Sequence, residues 1–160
     1  FKIINPKPLK KKNKIISSSL IRKLISKGDL KKANKYLNRN WSIEGTVLQG
    51  RKMGRKIGFP TCNIDLIDYV IAKTGVYAVK VYLENKSNFL RGIANLGYRP
   101  TFNQKKILLE VNLFNFSGNL YNKKLRVEFL KFIRKEVKFK GIDQLKKQIN
   151  LDLKIAKKVK

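Results

Sequence analysis

The chain has 160 residues, 42% of them hydrophobic, with 38 basic against 10 acidic side chains and a net charge of +28. That apolar share suffices to bury a core for one domain with something appended, which argues against wholesale disorder. A single cysteine, Cys62, excludes an internal disulfide, and the absence of any histidine excludes a conventional zinc site.

No apolar run approaches the roughly 20 residues that a membrane-spanning helix needs. The opening Phe1-Lys2-Ile3-Ile4-Asn5 has nothing of a signal peptide, and a start on Phe rather than Met suggests a piece of a longer protein. The charge supports two readings. A functional basic surface would attract nucleic acid or another polyanion. Composition bias is the other, since lysine outnumbers arginine and Lys, Asn and Ile are inflated in nearly every segment. Under either reading the positive field draws in an anionic substrate.

Residues 1–40 differ from the rest. A short apolar run ends at Pro6 and Pro8, a basic stretch follows from Lys10 to Lys14, and Ser17, Ser18 and Ser19 are placed to cap a helix bearing Leu20, Ile21, Leu24 and Ile25. Gly28 ends it, and Asp29 can cap a second helix whose stripe is Leu30, Ala33 and Leu37. Two short helices make a poor core alone, so they are expected to pack on something else. From Trp41 the period becomes strand-like. The segments 42–48, 75–83, 89–96, 107–114 and 125–133 are rich in β-formers, separated by turn chemistry at 84–88, at Tyr98-Arg99-Pro100-Thr101 and at Ser117-Gly118-Asn119. This pattern predicts an antiparallel barrel or sandwich. Helical spacing returns in Ile142, Leu145, Ile149, Leu153 and Ala156, a final helix expected to plug or flank the barrel.

The stretch from Gly50 to Asn63 concentrates the chemistry. Gly50, Gly54 and Gly58 stand four apart among Arg51, Lys52, Arg55 and Lys56, directly after a strand. Glycine lets the backbone approach an anion closely, and the basic side chains add charge, yet a solvated hairpin would have the same composition. Pro60-Thr61-Cys62-Asn63 sharpens the pattern: on an extended chain Thr61 and Asn63 point to one side, and both offer oxygens suited to a hard cation such as magnesium.

This run, ending Gly-Phe-Pro-Thr-Cys-Asn, resembles the glycine-loop motif of the riboflavin kinase family, whose usual form ends Pro-Thr-Ala-Asn. Thr74-Gly75-Val76-Tyr77-Ala78, the segment from Gly92 to Phe102 with its Asn95-Leu96-Gly97-Tyr98-Arg99-Pro100-Thr101-Phe102, Leu109-Glu110-Val111-Asn112-Leu113, Leu120-Tyr121 and Phe132 to Phe139 resemble further family segments in the same order. The resemblance covers about residues 41–157. It implies a mainly β fold, a six-stranded antiparallel Greek-key-type barrel with a C-terminal helix, here preceded by two short helices. It implies ATP-dependent phosphorylation of riboflavin to FMN, with ATP, riboflavin, FMN and ADP as partners and Mg2+ as cofactor. By position, Thr61 and Asn63 match the magnesium ligands, and Gly54, Arg55, Lys56 and Gly58 fall in the loop over the ATP phosphates, with Thr61 and Asn63 also touching ATP. Glu110 matches the catalytic base, and Arg134 and Phe139 fall in the segment that closes on the flavin. Cys62 stands for the usual Ala, and Asn122 where Gly often follows Leu-Tyr, a swap that the left-handed tolerance of Asn allows.

Residues 16–22 resemble the Ile-Ser-Ser-Thr-x-x-Arg motif that ends the adenylyltransferase domain of bifunctional FAD synthetases. The implied organisation is 1–40 as a remnant of that domain with its helical linker and 41–160 as the kinase barrel, the adenylyltransferase domain being a partner in the full-length protein. FMN adenylyltransferase activity is not expected from these 160 residues. No membrane and no specific nucleic acid is expected as a partner, and the setting expected is cytoplasmic. The rival reading is a basic barrel that tracks single-stranded nucleic acid; it explains the charge but leaves Thr61, Asn63 and Glu110 without a task.

Overall fold

A computed structural model describes residues 1, 4, 7–11, 14–50, 52–66, 69–84, 87–100 and 105–159. Two short strands, β1 (Lys10–Lys11) and β2 (Lys14–Ile15), form an antiparallel ribbon that no apolar alternation announces. Helix α1 (Ser18–Lys27) starts where the Ser17 side chain accepts from the Leu20 N–H and stops at Gly28, φ 79°. Helix α2 (Leu30–Leu37) starts where Asp29 accepts from the Lys32 N–H and stops at Asn38, φ 54°. The first helix thus begins and ends, and the second begins, at caps that the sequence predicts; the left-handed Asn38 that ends the second is not anticipated.

Six strands close into an antiparallel barrel: β3 (Ser42–Leu48), β4 (Cys62–Ile64), β5 (Gly75–Leu83), β6 (Phe89–Pro100), β7 (Lys105–Leu113) and β8 (Lys124–Arg134). The order around the barrel is β3, β4, β7, β6, β5, β8, and closure comes from β3 pairing with both β4 and β8. Helix α3 (Met53–Lys56) is a single turn between β3 and β4, and α4 (Ile142–Lys158) follows β8. The implied fold is therefore present, with two differences from the strand reading. The sixth strand, β4, is three residues long behind Pro60, too short to show a period. The turn chemistry at residues 98–100 is overridden: β6 runs on to Pro100, opposite Lys105, because cross-strand pairing outweighs local preference. The remainder of that turn lies outside the described residues, as do parts of the turn at 84–88. Asn122 adopts φ 62°, the left-handed conformation anticipated for it.

Alternate residues fill the barrel interior: Ile43, Val47, Ile64, Tyr77, Val79, Val81, Leu96, Leu109, Val111, Leu125, Val127 and Phe129 are all buried. Trp41, Phe129, Tyr77 and Phe132 meet in sequence, the first pair tilted and the other two edge to face, with ring centroids 4.8, 5.0 and 5.1 Å apart, and the Tyr77 hydroxyl donates to the Lys73 carbonyl. Leu24, Ile25, Leu30 and Ala33 join the same buried cluster, so the N-terminal helices find their partner in the barrel itself. Asn34 fixes α2 there, donating to the Phe129 carbonyl at 3.2 Å and accepting from the Trp41 N–H at 2.8 Å. Helix α4 flanks the barrel instead. Its Ala156 and Leu153 pack on Val76, Ala78 and Ile93 outside the sheet, and Arg91 of β6 donates to the carbonyls of Ala156, Lys157 and Val159 at its C-terminus.

Candidate active site

The strand register sets the site. Asn63 on β4 lies opposite Glu110 on β7, Glu110 opposite Asn95 on β6, Asn95 opposite Val76 on β5, and Val76 opposite Arg134 on β8. Residues directly opposite share a face. The row therefore crosses the outer face of five strands, oxygen-rich at Asn63 and Glu110 and changing character toward Val76. Over it lies a cleft of about 350 Å³ whose walls include all five of these residues. At one end the walls are Gly50, Lys52, Gly54, Thr61 and Tyr121; at the other, Val137, Phe139, Leu145 and Ile149.

The glycine loop is shaped around two side chains. A Cβ on Gly50 would stand 1.7 Å from Nδ2 of Asn63, and one on Gly54 would stand 2.3 Å from the Phe59 carbonyl oxygen and 3.2 Å from Oγ1 of Thr61. Only glycine allows the loop to lie this close. Asn112, two residues from Glu110 on the same face, donates to the Pro60 carbonyl at 2.6 Å and holds the loop's end against β7. The N–H groups of Lys56, Ile57, Gly58 and Phe59 are taken up inside the turn, donating to the carbonyls of Lys52, Gly54, Arg55 and Gly54.

Of the residues singled out in the sequence, Gly54, Thr61, Asn63, Glu110, Arg134 and Phe139 come together in this cleft. Arg55 faces a neighbouring cleft of about 400 Å³ between the glycine loop and residues 116–121, while Lys56 and Gly58 sit exposed on the outside of the loop. Thr61 and Tyr121 line both clefts, so the two are contiguous. Arg134 gives Nε and Nη2 to the Asp152 carboxylate, at 2.7 to 3.0 Å, and Nη1 to the Lys135 carbonyl at 2.9 Å; its guanidinium lies 5.8 Å from the Phe139 ring centre. Lys52, Asn95, Tyr121, Glu136 and Asp152 also line the cleft and were not singled out. For Asn95 the signal was the hairpin pairing that sets it beside Glu110. For Asp152 it was a carboxylate seven residues after Leu145, on the apolar face of the last helix.

Whether these residues suit a hard divalent cation turns on Asn63. Its side chain is only 8% exposed, and its Oδ1 accepts no hydrogen bond. A buried acceptor left unpaired costs about 1–3 kcal/mol, a cost that a cation would relieve. With the Thr61 hydroxyl in the same wall the donors are uncharged oxygens, which fits magnesium. Among the described residues no group of three or more His, Cys, Asp or Glu that could hold a metal ion forms, here or elsewhere.

Cys62, between the two, points into the neighbouring cleft, where burial pushes its thiol up to about 11. At pH 8 the thiolate fraction is then on the order of one in a thousand. Disulfide reagents should modify the folded chain far more slowly than the unfolded chain; equally fast labelling would show that Cys62 is not enclosed.

Fold and site together define a small barrel whose outer face carries a cleft that is oxygen-lined at one end and apolar at the other. The family described as Flavokinase: Riboflavin kinase matches residues 37–160. The chain belongs to the riboflavin kinase family. It is 45% identical over 161 residues to the bifunctional riboflavin kinase/FMN adenylyltransferase of Buchnera aphidicola subsp. Schizaphis graminum (strain Sg), a match covering 99% of this chain and 51% of that protein. The chain spans about half the length of the curated relatives it matches. Among solved structures, one named a macrolide-efflux protein from Streptococcus pneumoniae superposes with a TM-score of 0.87 at 34% identity, covering 96% of this chain and 50% of that one. The efflux in that name is said of that protein; here, among the described residues, no helix is long and apolar enough to cross a membrane. Riboflavin kinase from Trypanosoma brucei shares the fold, with a TM-score of 0.54 at 20% identity over 72% of this chain and 74% of that one.

Proposed function

We propose that the chain transfers the γ-phosphoryl group of ATP to the terminal ribityl hydroxyl of riboflavin, giving FMN and ADP. The observation that carries this reading is the row Asn63, Glu110, Asn95, which places an orphaned amide oxygen and a carboxylate side by side in a cleft with one polar and one apolar end. The apolar end, under Phe139, Leu145 and Ile149, suits a flat tricyclic ring. The nucleotide enters from the other end, its triphosphate along Gly54 and Thr61 and its nucleoside toward the contiguous cleft beyond Tyr121. Lys52, Arg55 and Lys56 lend positive charge to that approach.

Thr61 and Asn63 would hold a magnesium ion, which when bound neutralises charge on the phosphate oxygens. Glu110 takes the proton of the acceptor hydroxyl as its oxygen bonds to the γ-phosphorus and the bond to the β–γ bridging oxygen breaks. Such a base contributes about 10²–10⁴-fold, and the remainder of the acceleration comes from positioning. Residues 1–40 are the end of an adenylyltransferase domain and its linker, residues 41–160 the kinase barrel, and the setting is the cytoplasm.

The test is incubation of the 160-residue chain with riboflavin, ATP and magnesium, followed by separation of the flavins. FMN and ADP should accumulate together, and FAD should not form. Unchanged riboflavin would remove the kinase reading; FAD would require a second nucleotide site within this chain.

A further inference from the structure

The Asp152 carboxylate is 1% exposed, yet it lies in the wall of the cleft. It accepts from Arg134 Nε and Nη2 and, at 2.9 Å, from Nε2 of Gln148 one turn earlier on α4. An ion pair taken out of water gains little net stability over well-packed apolar groups. Helix α4 is in any case docked by Ala156 and Leu153 and capped by Arg91. Docking alone leaves the pair without a purpose.

Its reach supplies one. Arg134 is the last residue of β8, and the hydrogen bond from its Nη1 to the Lys135 carbonyl fixes how the chain leaves the barrel. The next residue, Glu136, rests on β6: a Cβ on Gly97 would stand 2.1 Å from its Oε1, and Asn95 lies 3.5 Å away through Nδ2. Val137 and Phe139 then form the apolar end of the cleft together with Leu145 and Ile149 of α4. Among the described residues, neither the glycine loop nor Tyr121, which build the other end, bonds to Arg134 or Asp152.

We infer that Asp152 is a positioning residue for the acceptor end of the cleft, acting through Arg134 on residues 135–139. The inference rests on the kinase reading. By it, Asp152 holds the surfaces that enclose riboflavin and leaves the nucleotide end untouched.

Asp152→Asn keeps the size of the side chain and removes its charge. In that variant riboflavin fluorescence quenching should weaken and the KM for riboflavin rise about tenfold, while the KM for ATP stays within about twofold. In the double variant Arg134→Met, Asp152→Leu, apolar packing replaces the pair, so the melting temperature should stay near that of the wild type while the riboflavin defect persists. Equal rises in both KM values, unchanged riboflavin binding in Asp152→Asn, or restored binding in the double variant would each overturn the inference. A wild-type chain that makes no FMN would instead sink the kinase reading. Quenching measures binding alone, so the titrations would still decide the role of Asp152.

Discussion

Glu110→Gln is expected to lower turnover by about a hundredfold or more while leaving riboflavin and ATP binding nearly unchanged. The side chain is half-buried in the middle of the row that crosses β4, β7 and β6, held by strand pairing on both sides. An amide there keeps the shape and loses the capacity to take a proton. The loss therefore falls on the chemical step. Single-turnover formation of FMN, with substrate affinities measured separately, checks it. A variant that retains most of the wild-type rate would remove Glu110 from the reaction and leave positioning as the whole of the catalysis.

Asn63→Ala should cost about a hundredfold or more in the concentration of magnesium needed for ATP use, since it deletes one of two proposed ligands. Its effect on stability should have the opposite sign to the usual one. Truncating a buried polar side chain commonly destabilises a protein. Here the acceptor oxygen is buried with no donor to lose, and its removal relieves a desolvation cost of about 1–3 kcal/mol. Opposed signs are the mark of a site held ready for a ligand at the expense of the empty fold. Magnesium dependence of FMN formation and the melting temperature of the apo chain check the two halves. An unchanged magnesium requirement would move the cation elsewhere; a fall in melting temperature would mean that Asn63 has a structural partner after all.

Much of this was legible in the sequence. Ser17, Gly28 and Asp29 mark helix ends because capping is a local interaction, and five strands show because alternate side chains enter one interior. Closure was not readable from pattern alone, since nothing in β3 states that it pairs with both β4 and β8; the resemblance supplied that. Thr61, Asn63 and Glu110 were legible as residue types in motifs, and their register was not. Glu136 escaped notice because its place depends on Gly97, which falls between the strand read at 89–96 and the turn read at 98–101 and serves as a seat within β6. Arg134 is legible as part of the segment that the resemblance places at the flavin, but the bonds from its guanidinium to Asp152 and the Lys135 carbonyl are not. A side chain's partner 18 residues away cannot be read from its neighbours.

The sharing of one buried cluster between α1, α2 and the barrel bears on where this molecule ends as a folding unit. The family match begins at residue 37, yet Leu24, Ile25, Leu30 and Ala33 lie in the same apolar interior as Phe129 and Trp41. The family boundary thus falls inside one packed unit. Helices and strands are expected to unfold together under heat or denaturant, and a chain trimmed to residue 37 would expose the barrel side chains that α1 and α2 cover.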